Sequence, residues 1–411
     1  MFKSKWTFPF LCVLLLVETF CYYTALPFFT AGSLAYFFSG ILIAVFPLFF
    51  SIQAEKQITN RIVTVVQVGF FLLFANWMFN LFRLDVLQGP PPIKEHADML
   101  LFVKVMAERF LSGDAKIYAK ITEVWGVDSS APYLPAMWLP YALPIALGQD
   151  LRWASFLFVI LSILLAFISV HRSGIKWTWQ LAILPSLALL INRLISQGCW
   201  YFTQTEEGVV ILYYTLICVA LIWTNWNLVG IALALCLLSR FLPVIMIPSA
   251  VILLLPLYKT DLRKILFYSI TTVLLIILFS GTFDEIVNMA SIPFKYRDAL
   301  NNNTNLTSIE ELNNKLGMAK FFAQPGIIFK GMSVPVTLVA TLIFAFALKK
   351  WNPDVRIEYQ LLCLLKLTLV FFLNFQIGVD EYLLYTSSIV SLFIVIGYSN
   401  SLRKNILNAA S

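Results

Sequence analysis

Apolar residues in this chain come in runs of about 17 to 25, broken by short polar clusters, and a run of that length crosses the hydrocarbon core of a bilayer as a helix. Stretches such as Leu11 to Val17 and Val251 to Leu255 are continuously apolar, whereas a barrel strand would alternate apolar and polar residues over about ten positions. In hydrocarbon every backbone donor and acceptor must be satisfied within the segment, so helices are the expected form. The breaks place spans near 7–28, 31–53, 62–82, 153–170, 178–195, 209–225, 227–239, 241–257, 265–281, 331–348, 359–377 and 383–399. The expectation is an all-α integral membrane protein of about twelve transmembrane helices, forming one polytopic domain over residues 1–411. The run after Lys3 and Lys5 is too long for a signal-peptide core and lacks a small-residue cleavage site, so it reads as a retained first span.

One further apolar piece, Tyr133 to Gly148, is short and is read as broken by Pro135, Pro140 and Pro144. Charge decides how it is read, because each added span reverses the side of everything after it. With the N-terminus inside and 133–148 not crossing, all the main basic clusters fall inside: Lys56 with Arg61, Arg172 with Lys176, Lys259 to Lys264, Lys349 with Lys350 and Arg356, and Arg403 with Lys404. That is the pattern of the positive-inside rule. The piece is therefore expected to be a re-entrant or juxtamembrane element on the outer face. Two large outer regions result, 83–148 and 282–330, with smaller outer turns at 196–208, around 240 and at 378–382.

Composition agrees with this pattern: the 411 residues are 60% hydrophobic and 12% charged, too few charges for a water-soluble surface. The net charge of +7 belongs to the basic clusters beside the spans, so it points to topology and not to a nucleic-acid partner. Of the six cysteines, Cys12, Cys21, Cys218, Cys236 and Cys363 lie in apolar runs and only Cys199 near a loop, which gives no disulfide framework. The inner loops are too short for a nucleotide-binding domain and carry no phosphate loop of the P-loop pattern. With His96 and His171 as the two histidines, a His-based zinc site is disfavoured.

Chemistry is expected in the outer regions. From His96 to Leu111 the apolar residues Met99, Phe102, Val103, Met106 and Phe110 recur at helical spacing, predicting an amphipathic helix on the membrane surface that stops at Ser112-Gly113. Asp98 falls in its first turn, where the helix dipole favours an ionised carboxylate. Such a group serves either as a cap or as a general base that takes a proton from an attacking hydroxyl. Glu206, beside Glu207 in a turn with Trp200, Tyr201 and Gln204, suits sugar hydroxyls, although an interfacial aromatic belt explains the same aromatics. Asp380 and Glu381, before Tyr382, are either sugar ligands or a solvated turn.

The order of features in the first outer region is more telling than any one of them. Asp98 and its helix are followed by Ser112-Gly113-Asp114, Tyr118, the element Tyr133-Leu134-Pro135-Ala136-Met137-Trp138-Leu139-Pro140, then Gly148 and Asp150-Leu151-Arg152-Trp153. Later comes Gly230 to Arg240-Phe241-Leu242-Pro243, ending in Ile247-Pro248 and a basic inner loop. This order resembles the GT-C class of membrane glycosyltransferases, in patches covering about half the chain. Some branches of that class carry an adjacent acidic pair where this chain has Asp98 alone, and two spans here precede the usual first one.

The resemblance implies an inverting glycosyltransferase that moves a sugar from a polyprenyl-phosphate donor to a glycan or glycolipid acceptor on the outer face, in a bacterial inner membrane with its site toward the periplasm. It implies Asp98 as general base, Arg240 on the departing phosphate with Lys295 and Arg297 as further phosphate contacts, and Tyr118 and Tyr133 among substrate contacts. For Arg240 a snorkelling interfacial role stands beside this, and for Lys295 and Arg297 a solvated surface. No cofactor beyond the lipid-linked donor is required, although a divalent metal bridging Asp98 and the phosphate fits the class. The rival expectations are a transporter or flippase of lipid-linked saccharides, with functional charges in mid-span, a saccharide polymerase or ligase, and a non-catalytic subunit of a glycan assembly complex.

Overall fold

A computed structural model describes residues 2–3, 6–23, 30–51, 61–87, 94–114, 116–122, 124, 133–173, 180, 182–183, 185–186, 189, 205–240, 242–255, 259–289, 291, 318, 333–351, 355–375 and 384–409. The helices in chain order are α1 (Thr7–Tyr23), α2 (Thr30–Val45), α3 (Arg61–Leu81), α4 (Lys94–Leu111), α5 (Pro135–Ala146), α6 (Arg152–Ser173) and α7 (Glu207–Ile222). They continue as α8 (Trp226–Leu237), α9 (Leu242–Leu254), α10 (Lys259–Phe279), α11 (Ser333–Trp351), α12 (Ile357–Phe375) and α13 (Leu384–Ala409). Every apolar run read from the sequence carries one of these helices except 178–195, most of which lies outside the described residues.

Among the described residues six helical segments are long and apolar enough to cross a membrane: Ala31–Leu48, Thr64–Leu84, Arg152–Arg172, Asp261–Phe279, Ser333–Trp351 and Ile357–Phe375. The apolar helices α1, α7, α8, α9 and the core of α13 are shorter, at 10–17 residues. This is an all-α architecture of the membrane type. Helix α12 is the hub, packed against α2, α7, α9, α11 and α13. Helices α3 and α10 instead present rows of exposed apolar side chains, among them Val65, Leu72 and Leu73 on α3 and Phe267, Leu275 and Phe279 on α10. In water such rows would be a liability; against lipid they are the ordinary outer surface of a bundle.

Two elements of the first outer region differ from the sequence expectation. Helix α4 begins at Lys94 rather than His96, which moves Asp98 beyond the first turn, where the dipole falls off. Its apolar face packs on α5 and the neighbouring protein, with Phe102, Val103 and Met106 fully buried, so protein covers the face that the sequence assigned to lipid. The helix ends as expected: Gly113 has φ +74, and Gly113 and Asp114 donate backbone N–H bonds to Phe110 and Arg109.

The second difference is that 135–146 forms one continuous helix in spite of its prolines. Pro135 stands in the first turn, where a missing N–H costs nothing. Pro140 deprives the Ala136 carbonyl of its helical partner, and the Tyr213 hydroxyl of α7 donates to that carbonyl instead, at 2.8 Å. The orphan N–H of Ala136 in turn donates to the Leu238 carbonyl at the end of α8, at 3.1 Å. At about 18 Å, α5 is too short to span the bilayer core.

Candidate functional site: a carboxylate and arginine cluster under α4 and α5

The contacts that hold α5 also build a polar cluster. Leu238, anchored by Ala136, is followed by Ser239 and Arg240, and the Arg240 N–H closes the end of α8 on the Cys236 carbonyl at 2.9 Å. Across from it, α7 begins at Glu207 directly after Thr205 and Glu206. Gly208 lets this first turn sit against α6: a Cβ there would lie 2.6 Å from the Ser155 carbonyl oxygen and 2.9 Å from the Ser155 Cα. The Ser155 hydroxyl donates to the Thr205 carbonyl at 3.2 Å and pairs with the Tyr141 hydroxyl of α5 at 2.7 Å. Helices α5, α6, α7 and α8 are thereby tied at one end of the bundle.

Arg240 Nη2 donates to Glu206 Oε1 at 2.8 Å and to Glu207 Oε1 at 2.5 Å. The Tyr133 hydroxyl donates to Glu206 Oε1 at 3.0 Å and lies 2.8 Å from the sulfur of Met99 on α4, the residue after Asp98. Glu206 and Glu207 are buried, at 1% and 0% exposure, and the Arg240 side chain is 24% exposed, forming the open edge of the cluster. Ion pairs withdrawn from water this far depend on good geometry and further hydrogen bonds, and a shared guanidinium with a tyrosine supplies both. Among the described residues no three His, Cys, Asp or Glu side chains converge as metal ligands.

The structure thus brings together Tyr133, Glu206 and Arg240, which the sequence singled out separately, and adds Glu207. Asp98 lies in α4 beside this cluster, but its side chain falls outside the described residues, as do Lys295, Arg297, Asp380 and Glu381 altogether. Tyr118 takes another position. Its backbone N–H donates to both oxygens of Glu285 at 3.1 Å, and its hydroxyl accepts from the Trp138 indole at 3.3 Å. Arg109 caps the same turn by donating to the carbonyls of Ile117, Ala119 and Lys120. Tyr118 therefore joins residues 83–148 to the segment that follows α10, with its phenol pushed up by burial. Burial also raises the Glu285 carboxyl above the usual carboxylate range, helped by nearby Asp114 and opposed by the Tyr118 N–H and Arg109.

A second buried charge cluster pairs two residues that the sequence alone does not bring together, Glu18 and Lys366. Glu18 on α1 is fully buried and paired with Lys366, itself fully buried. Lys366 Nζ also donates to the Ser387 hydroxyl at 2.7 Å and the Ser387 carbonyl at 3.1 Å, and the Ser391 hydroxyl donates to Glu18 Oε2 at 2.5 Å. Lys366 is the central residue of α12, about 13 Å from either helix end, beyond the reach of a snorkelling side chain. A lone Lys inside the apolar run Leu361 to Phe375 was the available signal, since a charge there needs a partner.

No family model, curated protein or solved structure matches the chain, so its functional reading rests on these side chains themselves.

Proposed function

We propose that this protein is an inverting glycosyltransferase of the GT-C kind, moving a sugar from a polyprenyl-phosphate donor to a glycan or glycolipid acceptor at the membrane face where α4 and α5 lie. One observation carries the reading. Tyr133, Glu206 and Arg240 come from three distant stretches of sequence, and each is of a type suited to sugar or phosphate chemistry. They meet in a single hydrogen-bonded cluster beside the helix that bears Asp98.

The parts suit such a transfer. An attacking hydroxyl needs a carboxylate to take its proton, and the cluster holds Glu206 and Glu207 near the helix of Asp98. Phosphate leaving the anomeric carbon needs positive charge where its own negative charge grows. The partly exposed edge of Arg240 faces that demand, while its Nη2 keeps the two carboxylates in place. The setting fits a bacterial inner membrane with the site toward the periplasm.

The test is transfer of radiolabelled sugar from a panel of polyprenyl-phosphate monosaccharides to membrane acceptors by the reconstituted full chain. Transfer that depends on the protein and falls with Arg240→Gln is expected. Failure with every donor, over a widened set of acceptors, sinks the reading.

A second reading, a transporter or flippase of lipid-linked saccharides, has one observation in its favour: Glu18 and Lys366 are the mid-span charges that such a protein uses. It expects vesicle uptake of a labelled lipid-linked saccharide that stops in Lys366→Met. Uptake indifferent to that change removes its support.

A further inference from the structure

A buried carboxylate normally spends both oxygens on donors, because an unmet polar atom away from water costs about 1–3 kcal/mol or more. Glu18 spends one on Lys366 and one on Ser391. Both oxygens of Glu285 accept the Tyr118 N–H, and even the half-buried Asp150 accepts from Arg152 with both of its oxygens. Glu206 departs from this rule. Its Oε1 takes two bonds, from Arg240 Nη2 and the Tyr133 hydroxyl, while its Oε2 is buried with no hydrogen-bond partner among the described residues. The carboxylate is therefore fixed in orientation by one oxygen, and the other is left within the cluster without a donor.

From this geometry we propose that Glu206 Oε2 is the atom that takes the proton of the attacking acceptor hydroxyl, an assignment that rests on the transfer reading above. The hydroxyl hydrogen-bonds to Oε2 and its oxygen bonds to the anomeric carbon on the face opposite the phosphate. The bond from that carbon to the phosphate oxygen breaks with its electron pair passing to the departing polyprenyl phosphate. The hydroxyl proton ends on Glu206 and is released to water at the Arg240 edge. Tyr133 acts as a positioning residue, since it holds the Oε1 that does not react, and Arg240 holds the same oxygen through Nη2 while its exposed edge faces the departing phosphate. The second acid lacking beside Asp98 in the sequence is supplied from a turn more than a hundred residues later, which Tyr133 and Met99 connect to α4.

The experiment compares the reconstituted full chain with Glu206→Gln, Glu207→Gln and Asp98→Asn, measuring kcat, donor KM, binding of labelled donor and the pH–rate profile. Arg240, Glu207, Tyr133 and Tyr141 face Glu206, and of these Glu207 is the other carboxylate, which is why it has its own variant. Glu206→Gln is expected to lower kcat about 10²- to 10⁴-fold and abolish the acid limb of the profile while donor binding persists. Glu207→Gln and Asp98→Asn keep the acid limb. Loss of that limb in Asp98→Asn with its retention in Glu206→Gln overturns the assignment and leaves the transferase standing. If Glu206→Gln fails to bind donor, Glu206→Asp decides: a lower kcat with the acid limb retained is expected, and an unchanged kcat overturns the assignment. A wild-type chain that transfers no sugar overturns both readings.

Discussion

Among the described residues, the buried charges around Lys366 and those around Arg240 are built to opposite rules. Around Lys366 the charges are matched one to one, and the ammonium and both carboxylate oxygens of Glu18 are engaged by each other and by Ser387 and Ser391. Around Arg240 one guanidinium nitrogen serves two carboxylates, and Glu206 Oε2 has no partner among the described residues. The first cluster sits at the middle of the central helix and joins α1, α12 and α13; the second sits where α7 starts and α8 ends. A satisfied centre adds cohesion and offers nothing to a ligand, whereas an unsatisfied one retains an atom for chemistry. The comparison teaches that burial alone does not mark a site; an unfilled hydrogen-bonding position does.

The sharpest way to break the comparison is Lys366→Met. It strands the Glu18 carboxylate inside the bundle and should cost about 3–5 kcal/mol, read as a lowered thermal unfolding midpoint in detergent. Pairing it with Glu18→Leu removes both charges and should recover most of that loss. If the double variant is as unstable as the single one, the cluster is more than a clamp. If the double variant folds but loses saccharide uptake, the transporter reading gains.

The next effect separates packing from chemistry with two glycines. Gly208→Ala drives a methyl against the Ser155 backbone, and Gly230→Ala drives one to 2.7 Å from the Ile265 carbonyl oxygen between α8 and α10. Each should cost about 1–3 kcal/mol by overpacking. Gly208→Ala moves the turn that carries Glu206 and Glu207, so its specific transfer activity should fall beyond the loss of folded protein. Gly230→Ala should keep specific activity, and equal losses in the two would detach the Glu206 turn from function.

Tyr133→Phe is milder. It deletes one hydrogen bond to Glu206 Oε1, worth about 0.5–1.5 kcal/mol, and should lower kcat with little change in unfolding temperature. An unchanged kcat would show that Arg240 alone orients Glu206.

The smallest effect concerns Glu285. Its pKa is raised in the fold by burial, so the stability it contributes is present below its unfolded value and lost as pH rises through the folded one. Amide exchange at Tyr118, corrected for intrinsic rates, should therefore quicken as pH rises through that window, and Glu285→Gln should flatten the dependence. The same slope in both proteins would mean another group controls the turn.

Much of the fold was legible because hydrophobic periodicity and run length act locally. The runs at 153–170, 209–225, 331–348 and 359–377 return as α6, α7, α11 and α12 with ends moved by a few residues. The amphipathic helix and its Gly113 stop were legible for the same reason. What covers the apolar face of α4 was not, since lipid and protein satisfy that face equally and the sequence does not say which arrives. The continuity of α5 was hidden too, because the Tyr213 hydroxyl that takes the carbonyl freed by Pro140 lies more than seventy residues away.

The sequence by itself determined a helical membrane protein with long polar stretches between its spans; it offered Glu206 by chemical type, and Tyr133 and Arg240 only through a resemblance. Only the tertiary structure decided that these three belong together, that Glu207 joins them, that Tyr118 instead bonds to Glu285 beyond α10, and that Lys366 answers Glu18. The physical reason is one of range. Run length and helix stops are set by neighbours within a few residues, whereas a buried charge is stabilised only by a partner that packing delivers from elsewhere in the chain.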